Sequence, residues 1–369
     1  MAEGTHNSNP AGLDAFWDRY AFSIGDADFS WIDVGLAAMA SGEWSAFERR
    51  LSEGVACAAR AEAEDAWPSS NVVEEAANTF RYDRDLISGA DMDLWLEAAG
   101  ISIDEWAEYL KRNLLRQPWG DELDDTLDRF APAVRDLLAS VVVDRVCSGA
   151  FETLLQHFAS RAALVFDTDA GRFQRARAGT ATNPSIAAAA GRLAHVHAHW
   201  LSTRPPVDLA ARLATILEIE DAAAAALDAI ASHDRLVRIV EANRLQWIEL
   251  EIDRIAFPTA AAAQEAVQCV KEDGLPLAEV AALSHGAVER RSVLLEEIDP
   301  SQRDLWLAAE VRDVLGPFDA DGAFEVTALV ARAMPALANP RVAVRARHAL
   351  VDTALQAAAL AHVRRRPPP

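Results

Sequence analysis

The sequence is short of positive charge. Lys and Arg number 35 against 57 Asp and Glu, so the formal net charge is −22. Because phosphate binding requires clustered Lys and Arg, this balance argues against nucleic acid and anionic membranes as partners. A cationic partner is compatible with the charge, although the simpler interpretation is an acidic surface that keeps an Ala-rich helical chain in solution.

Cysteine and long apolar runs are also scarce. Cys57, Cys147 and Cys269 lie far apart and form no C-x-x-C or zinc-like pattern, which predicts reduced, buried thiols. Residues 1–10 are polar and do not resemble a secretory signal. No stretch approaches the roughly 18 uncharged apolar residues that a membrane-spanning helix needs. We therefore expect a cytoplasmic protein without a membrane partner.

The common catalytic signatures are missing. There is no G-x-S-x-G, no phosphate-binding glycine loop and no dinucleotide fingerprint, so no cofactor is expected. Carboxylates occur in groups at residues 124–125, 218–221 and 296–297, but acid–base chemistry needs two carboxylates in different environments. Nothing around these groups indicates burial, which favours solvated surfaces.

A histidine cluster at residues 195–199 is the densest set of possible metal ligands. On a helix, His195 and His199 share one face, as zinc-binding histidines do. However, no Glu follows His195, and only the fold can decide whether His157 or His233 supplies a third ligand. An exposed histidine-rich helix is the favoured interpretation, and a metal-dependent hydrolase is the weakest functional hypothesis.

Helical patterns dominate the first two thirds of the chain, which at 369 residues is long enough for two or three domains. Ser102 followed by Glu105 predicts a capping box at the start of one helix. Residues 121–160 predict two helices. Residues 166–184 are expected to form an irregular, mobile loop, because glycines and threonines interrupt the pattern.

Residues 244–336 have a different pattern. Polar and apolar residues alternate over 245–257, as in a strand with one buried face. The predicted elements after it are helices at 260–272 and 277–284, a β-rich run at 287–298, a helix at 301–310, and strands at 314–318 and 323–331. The last two strands are joined by turn-forming residues 319–322.

Two motifs within this segment carry a resemblance to a known family. They are EDGLPLAEVA at residues 272–281 and LGPF at residues 315–318. Together with the order strand, helices, strand, helix, strand, strand, they resemble the rotamase domain of the parvulin (PpiC) family. The resemblance implies catalysis of cis/trans rotation about X-Pro bonds, which has a barrier of about 20 kcal/mol.

The family's catalytic pocket is apolar and flanked by two histidines, and neither histidine is present. Residues 244–257 contain no His, and Phe324-Glu325 stands where the family usually has an aromatic residue followed by His. Arg312 falls near a family glycine, and Gln302 falls near the pocket Phe. These departures predict a catalytically eroded domain that binds peptide. If the domain is an active isomerase, Glu251 and Glu325 are the candidate catalytic groups.

Large apolar side chains are the candidate peptide-binding residues. The set comprises Leu295, Leu305, Trp306, Phe318 and Phe324. For each of them, an ordinary place in the hydrophobic core is the alternative.

A second resemblance lies upstream. FRYDRDL at residues 80–86, Trp95-Leu96 and residues 106–112 resemble the helical N-terminal domain of SurA-like chaperones. A SurA-like region before a PpiC-like domain is that family's own order. In that family the helical region, often completed by a C-terminal helix, cradles extended polypeptide. Here that helix is expected at residues 341–362.

The sequence thus predicts a mainly α-helical, SurA-like body plus a small α+β parvulin-like domain. The expected segments are a disordered leader (1–11), a helical SurA-like domain (12–135), a helical region (136–243), the parvulin-like domain (244–336), a C-terminal helix that packs back on the helical body (337–363) and a tail (364–369). The favoured function is a peptide-binding accessory protein that assists maturation of a ribosomally made peptide or another client. Its expected partners are that extended or precursor peptide and peptide-modifying enzymes.

Overall fold

A computed structural model describes residues 16–178, 184–197, 200, 206–320 and 322–365. The predicted leader, most of the predicted tail and residues 179–183 of the predicted loop lie outside this range. The chain divides into two compact units, which are described separately. The first comprises residues 1–227 and 354–369, and the second comprises residues 228–353. Helices predominate, and the described strands form two small antiparallel sheets.

The first unit is mainly helical. Its strands are β1 (Tyr20–Ile24), β2 (Ala27–Ser30) and β7 (Val363–Arg364), in the sheet order β2-β1-β7. Its helices are α1 (Trp31–Ser41), α2 (Glu43–Glu64), α3 (Ser70–Tyr82), α4 (Gly89–Ala99), α5 (Ile103–Arg116), α6 (Leu123–Arg129), α7 (Val134–Cys147), α8 (Ala150–Thr168), α9 (Ala170–Arg177), α10 (Pro184–His197) and α11 (Pro206–Ile230). The sequence did not predict the small sheet, because its strands are only two to five residues long.

Local signals explain several helix boundaries in this unit. The capping box predicted at the start of α5 is confirmed, since Ser102 Oγ accepts from the Glu105 N–H and the Glu105 carboxylate accepts from the Ser102 N–H. Residues 121–160 form three helices rather than the predicted two. The sequence -Ala-Pro- separates α6 from α7, and Gly149, with φ of 70°, separates α7 from α8.

The prediction of an irregular loop at residues 166–184 is wrong for its first half. Helix α8 continues to Thr168, and α9 then starts from Asp169, whose side chain accepts from the Arg172 N–H. Phe173 on α9 is fully buried and lies edge-on to Phe166, with ring centroids 5.4 Å apart. Burial of this ring stabilises a short helix in a segment whose glycines and threonines predict a loop.

The second unit contains one four-stranded sheet. In chain order its elements are α12 (His233–Ala242), β3 (Glu249–Phe257), α13 (Ala260–Lys271), α14 (Leu277–Leu283), β4 (Glu289–Leu294), α15 (Arg303–Ala308), β5 (Val314–Ala320) and β6 (Ala323–Ala333). The sheet is antiparallel in the order β4-β3-β6-β5. From β3 to β6 the elements follow the predicted order, strand, two helices, strand, helix, strand, strand.

Helix α16 (Pro340–His362) contains the point at which the chain divides, after residue 353. Its first half packs within the second unit, where Val342 and Ala346 contact Trp247. Residues 354–362 belong to the first unit, in which His362 contacts Asp167. The helix was expected to pack back on the helical body, and residues 354–362 are the part of it that belongs to that unit.

The central strand β3 separates two hydrophobic cores. Ile255 and Phe257 point to the face covered by α13 and α14, which is called the helical face here. Leu250 and Ile252 point to the opposite face, where they contact Trp306 of α15; this is called the cleft face. The alternation of a pleated strand therefore assigns each β3 side chain to one of two environments.

Gly316 in β5 occupies a position that only glycine fits. Its φ is 116°, and a Cβ atom there would lie 2.7 Å from the carbonyl oxygen of Glu325 in β6. Gly322, in the turn between the same strands, has a φ of 91° but has no atom within 4 Å of such a Cβ. Both glycines thus have a positive φ, but only at Gly316 would a Cβ atom collide with another strand.

We predict that Gly316→Ala destabilises the sheet by at least about 2 kcal/mol, because it combines backbone strain with a backbone collision. The matched variant Gly322→Ala should cost only about 1 kcal/mol, since strain is its sole effect. Urea denaturation followed through backbone NMR signals of β6 measures both. Equal losses in the two variants would show that the close approach to Glu325 does not limit the fold.

Candidate functional site

A cleft of about 220 Å³ opens on the cleft face of the sheet. All four strands contribute to it, and the segment from the end of β4 to α15 forms one wall. This sheet cleft is lined by Ile252, Arg254, Arg291, Val293, Ile298, Asp299, Gln302, Trp306, Phe318, Asp319, Ala320, Glu325 and Thr327. Its volume is below the roughly 300 Å³ at which sites for drug-sized ligands begin, so it accommodates one or two side chains.

The apolar wall of the sheet cleft is an aromatic pair. Trp306 and Phe318 stack with ring centroids 6.3 Å apart and an interplanar angle of 28°. Trp306 is 2% exposed, whereas Phe318 is partly exposed. Phe318 therefore presents aromatic surface to the cleft, and Trp306 supports it from within the core.

Two arginines fix the backbone of this wall. Arg332 on β6 donates to the carbonyl oxygens of Trp306 and Ala309, at 2.6 and 2.9 Å, where α15 ends. Arg303 donates to the carbonyl oxygens of Glu296 and Ile298, at 2.6 and 3.0 Å. These charge-assisted hydrogen bonds satisfy carbonyls that a short helix and an irregular segment leave without partners.

The floor of the sheet cleft is a charged cluster centred on Arg254. Its Nη1 lies 2.6 Å from Oε1 of Glu325 on β6, and its Nη2 lies 2.8 Å from Oε2 of Glu289 on β4. The side chains of Arg254 and Glu325 are each 22% exposed. Since the guanidinium already occupies one oxygen of Glu325, that carboxylate has fewer acceptor positions left for a ligand.

Ion pairs shift the pKa values of neighbouring carboxyls. Hydrogen bonds from Arg291 and then from Arg254 hold the pKa of Glu289 below its ordinary value. On the helical face, Arg290 donates to both oxygens of Asp253 at 2.8 and 2.9 Å and lowers its pKa. These groups therefore tend to remain ionised in the folded protein.

Three of the seven candidate peptide-binding and catalytic residues line the sheet cleft, namely Trp306, Phe318 and Glu325, and so does Gln302, which falls near the family's pocket Phe. Leu295 lies in the core of the cleft face at 3% exposure, in a cluster that includes Trp306. It supports the cleft without lining it, as the core alternative predicts.

The other three do not reach the cleft. Leu305 is 47% exposed, because it points away from the face of α15 that carries Trp306. Phe324 packs on the helical face with the core under α13, since it alternates with Glu325 along β6. Glu251 is exposed and alternates with Ile252, so it also lies on the helical face. The structure thus removes Glu251 from the isomerase hypothesis.

Several lining residues were not predicted, including Val293, Ile298 and Thr327. The alternation of β3 contained a usable signal for Arg254: a strand with Leu250 and Ile252 facing one core places Arg254 on the same face. The segment around Ile298 has no such periodicity, so its position follows only from tertiary contacts.

The histidine cluster is only partly within the described residues. His195 is exposed on α10, and His199 lies outside the described range. The part of the chain that the structure describes holds no group of three or more His, Cys, Asp or Glu side chains arranged for a metal ion. In the same residues, none of the helices has the length and apolar character needed to cross a bilayer.

The two pairs of charges allow a reciprocal test. Arg291→Gln should raise the pKa of Glu289 toward its ordinary 4.5 and change Asp253 far less, whereas Arg290→Gln should raise the pKa of Asp253 toward 3.8 and spare Glu289. Because both pKa values are lowered by folding, the stability that these pairs confer is present above about pH 4.5 and is lost as the pH falls through the folded pKa values. Carboxyl-carbon NMR titration measures both groups; identical shifts in the two variants would contradict the assignment.

Comparison with known proteins gave no match: no family model, curated protein or solved structure is significantly similar to the chain. The parvulin and SurA resemblances therefore rest on the motifs quoted above. What the sheet cleft does has to be argued from its own residues.

Proposed function

We propose that the chain is a peptide-binding, chaperone-like accessory protein whose parvulin-like domain binds an extended segment without isomerising it. The observation that carries the proposal is the sheet cleft, in which a partly exposed aromatic wall lies over a floor closed by the Arg254 ion pairs. The order of elements from β3 to β6, which agrees with the parvulin resemblance, supports it.

Binding is the better explanation because of the groups on the cleft floor. Rotation about an X-Pro bond has to overcome about 20 kcal/mol, so a catalyst needs groups that favour the twisted amide over the planar one. At the position where the resemblance implies a histidine, Glu325 is engaged by Arg254 at 2.6 Å. The floor of the cleft therefore carries charges that are already paired with each other. The Phe318 ring, in contrast, is available to contact an apolar side chain of a bound peptide.

The geometry of the sheet favours an extended ligand. Strand β5 is an edge of the four-stranded sheet, and an edge strand has backbone N–H and C=O groups free to pair with another chain. A single apolar side chain in a cleft of about 220 Å³ contributes only about 1.5–3 kcal/mol. Main-chain pairing along β5 would add the affinity that the cleft alone lacks.

The client class is part of this proposal. It is an extended precursor peptide made on the ribosome, or another unfolded segment, delivered to peptide-modifying enzymes in the cytoplasm. The three cysteines are free thiols, two of them buried, which is compatible with a reducing compartment. An active prolyl isomerase that uses Glu325 is the alternative, because this carboxylate does line the cleft.

We predict that the full chain broadens and shifts NMR signals of acetyl-Ala-Leu-Pro-Phe-amide without accelerating its cis/trans exchange. Phe318→Ser should weaken the binding about tenfold, because it removes the exposed aromatic surface. Leu305→Ser is the matched control: it also removes a large apolar side chain of this wall, but one that points away from the cleft, and it should bind as the unaltered chain does.

Two results would contradict the proposal. If Phe318→Ser and Leu305→Ser bind the peptide equally well, the sheet cleft is not the binding site. If the full chain accelerates exchange and Glu325→Gln abolishes the acceleration, the protein is an isomerase, and the alternative function replaces the proposed one.

A further inference from the structure

The first unit contains a second, larger cleft with a different chemistry. It measures about 810 Å³ and lies among α2, α3, α5 and the end of α7. It is called the arginine cleft here, and its polar lining is Arg50, Glu75, Thr79, Asp83, Arg84, Tyr109, Asn113, Arg116, Gln117 and Ser148. Among its lining residues three arginines outnumber two carboxylates, which is the reverse of the chain as a whole with its net charge of −22.

Arg84 is held in place by uncharged groups. Its guanidinium carbon lies 3.7 Å from the centre of the Phe80 ring, and its Nη2 donates to the Cys147 carbonyl oxygen at 2.6 Å. Within the described residues, no carboxylate lies within 4.0 Å of this guanidinium. Its position is therefore fixed, while its charge and its remaining N–H groups are left for a ligand.

Arg50 is a second cation of the cleft, and its guanidinium group makes few contacts within the described residues. It is exposed, and its contact with Asn113 Oδ1 is long, at 3.5 Å. No acidic side chain of the described chain comes within 4.0 Å of it either. Arg116 is different, because Glu53 already binds it at 2.6 Å. Two of the three arginines in the cleft are thus not neutralised by an ion pair.

Tyr109 supplies a neutral donor beside these charges. Burial, with smaller contributions from Asp144 and Cys147, raises the pKa of Tyr109 to about 12, although Arg50 and Arg84 act in the opposite direction. Both arginines line the same cleft as this phenol. The hydroxyl has no hydrogen-bond partner among the described residues, and since it stays protonated it can donate to an anion.

The geometry points to a binding site for a carboxylate carried on a partly apolar peptide, with Arg50, Arg84 and the Tyr109 hydroxyl as the donors. Guanidinium groups bind carboxylates with charge-assisted hydrogen bonds, and a hydroxyl completes the set. At physiological ionic strength the charge of the rest of the chain is screened beyond about 8 Å, so a ligand in the cleft is affected more by the nearby guanidinium groups of Arg50 and Arg84 than by the net charge of the chain.

The apolar lining of the arginine cleft favours a peptide over a free inorganic anion. It consists of Val72, Ala76, Phe80, Leu110 and Leu114. An inorganic phosphate would leave these side chains and most of the volume unused. An acidic residue with an apolar neighbour fills both parts of the cleft, and burial of that neighbour adds to the affinity. This inference does not depend on the function proposed for the sheet cleft.

Isothermal titration of the full chain with acetyl-Leu-Glu-Leu-amide and acetyl-Leu-Gln-Leu-amide tests the site. The Glu peptide should bind at least about tenfold more tightly, because hydrogen bonds to a charged group are worth that much. Arg50→Gln and Tyr109→Phe should each remove most of this preference while leaving the fold intact, since Arg50 is exposed and the phenylalanine retains the ring. Arg238→Gln, at an exposed arginine of α12, should have no effect.

Three outcomes would overturn the assignment. Equal affinity for the Glu and Gln peptides, or no binding of either, would show that the cleft does not recognise a carboxylate. If inorganic phosphate displaces the peptide at a phosphate concentration below that of the peptide, the cleft is a phosphate site. Loss of Glu-peptide binding in Phe318→Ser would place the binding in the sheet cleft, whereas its retention supports a separate site.

Discussion

The pleat of β3 is the constraint on which the second unit depends. Each residue of this central strand is committed to the helical face or the cleft face, and its neighbours in β4 and β6 follow through the register. Ile255 therefore packs under α13, while Ile252 and Arg254 form the floor of the sheet cleft. A slip of one residue would exchange the two sets and place Asp253 on the cleft face where Arg254 now lies.

The same pleat accounts for what the sequence could and could not predict. Alternation over residues 245–257 is enough to identify a strand, and the turn residues 319–322 identify a hairpin. Alternation does not say which face carries the cleft. From the sequence, Phe324 and Glu325 are therefore both candidates for the binding site. The structure separates them, because helix α13 covers the face that carries Phe324. In the first unit, burial of Phe173 overrides a local sequence that predicts a loop.

Arg254 connects the architecture of the sheet to its chemistry. Its two partners come from the strands on either side, so one guanidinium joins three strands across the cleft floor. Removing it would leave Glu325 without its ion-pair partner, and an unpaired, partly buried carboxylate is costly, whereas Glu289 would keep its contact with Arg291. The cation that joins these strands also occupies one oxygen of Glu325, the carboxylate on which the alternative isomerase hypothesis depends.

The two clefts use arginine in opposite ways. In the sheet cleft, Arg254 is neutralised by carboxylates, and the partly exposed Phe318 ring lines the wall. In the arginine cleft, Arg84 is positioned by an aromatic ring and a carbonyl oxygen, so within the described residues no carboxylate neutralises its charge. On the two proposals made above, the first arrangement would select an apolar side chain and the second would select a carboxylate, because each cleft leaves a different kind of group without an internal partner.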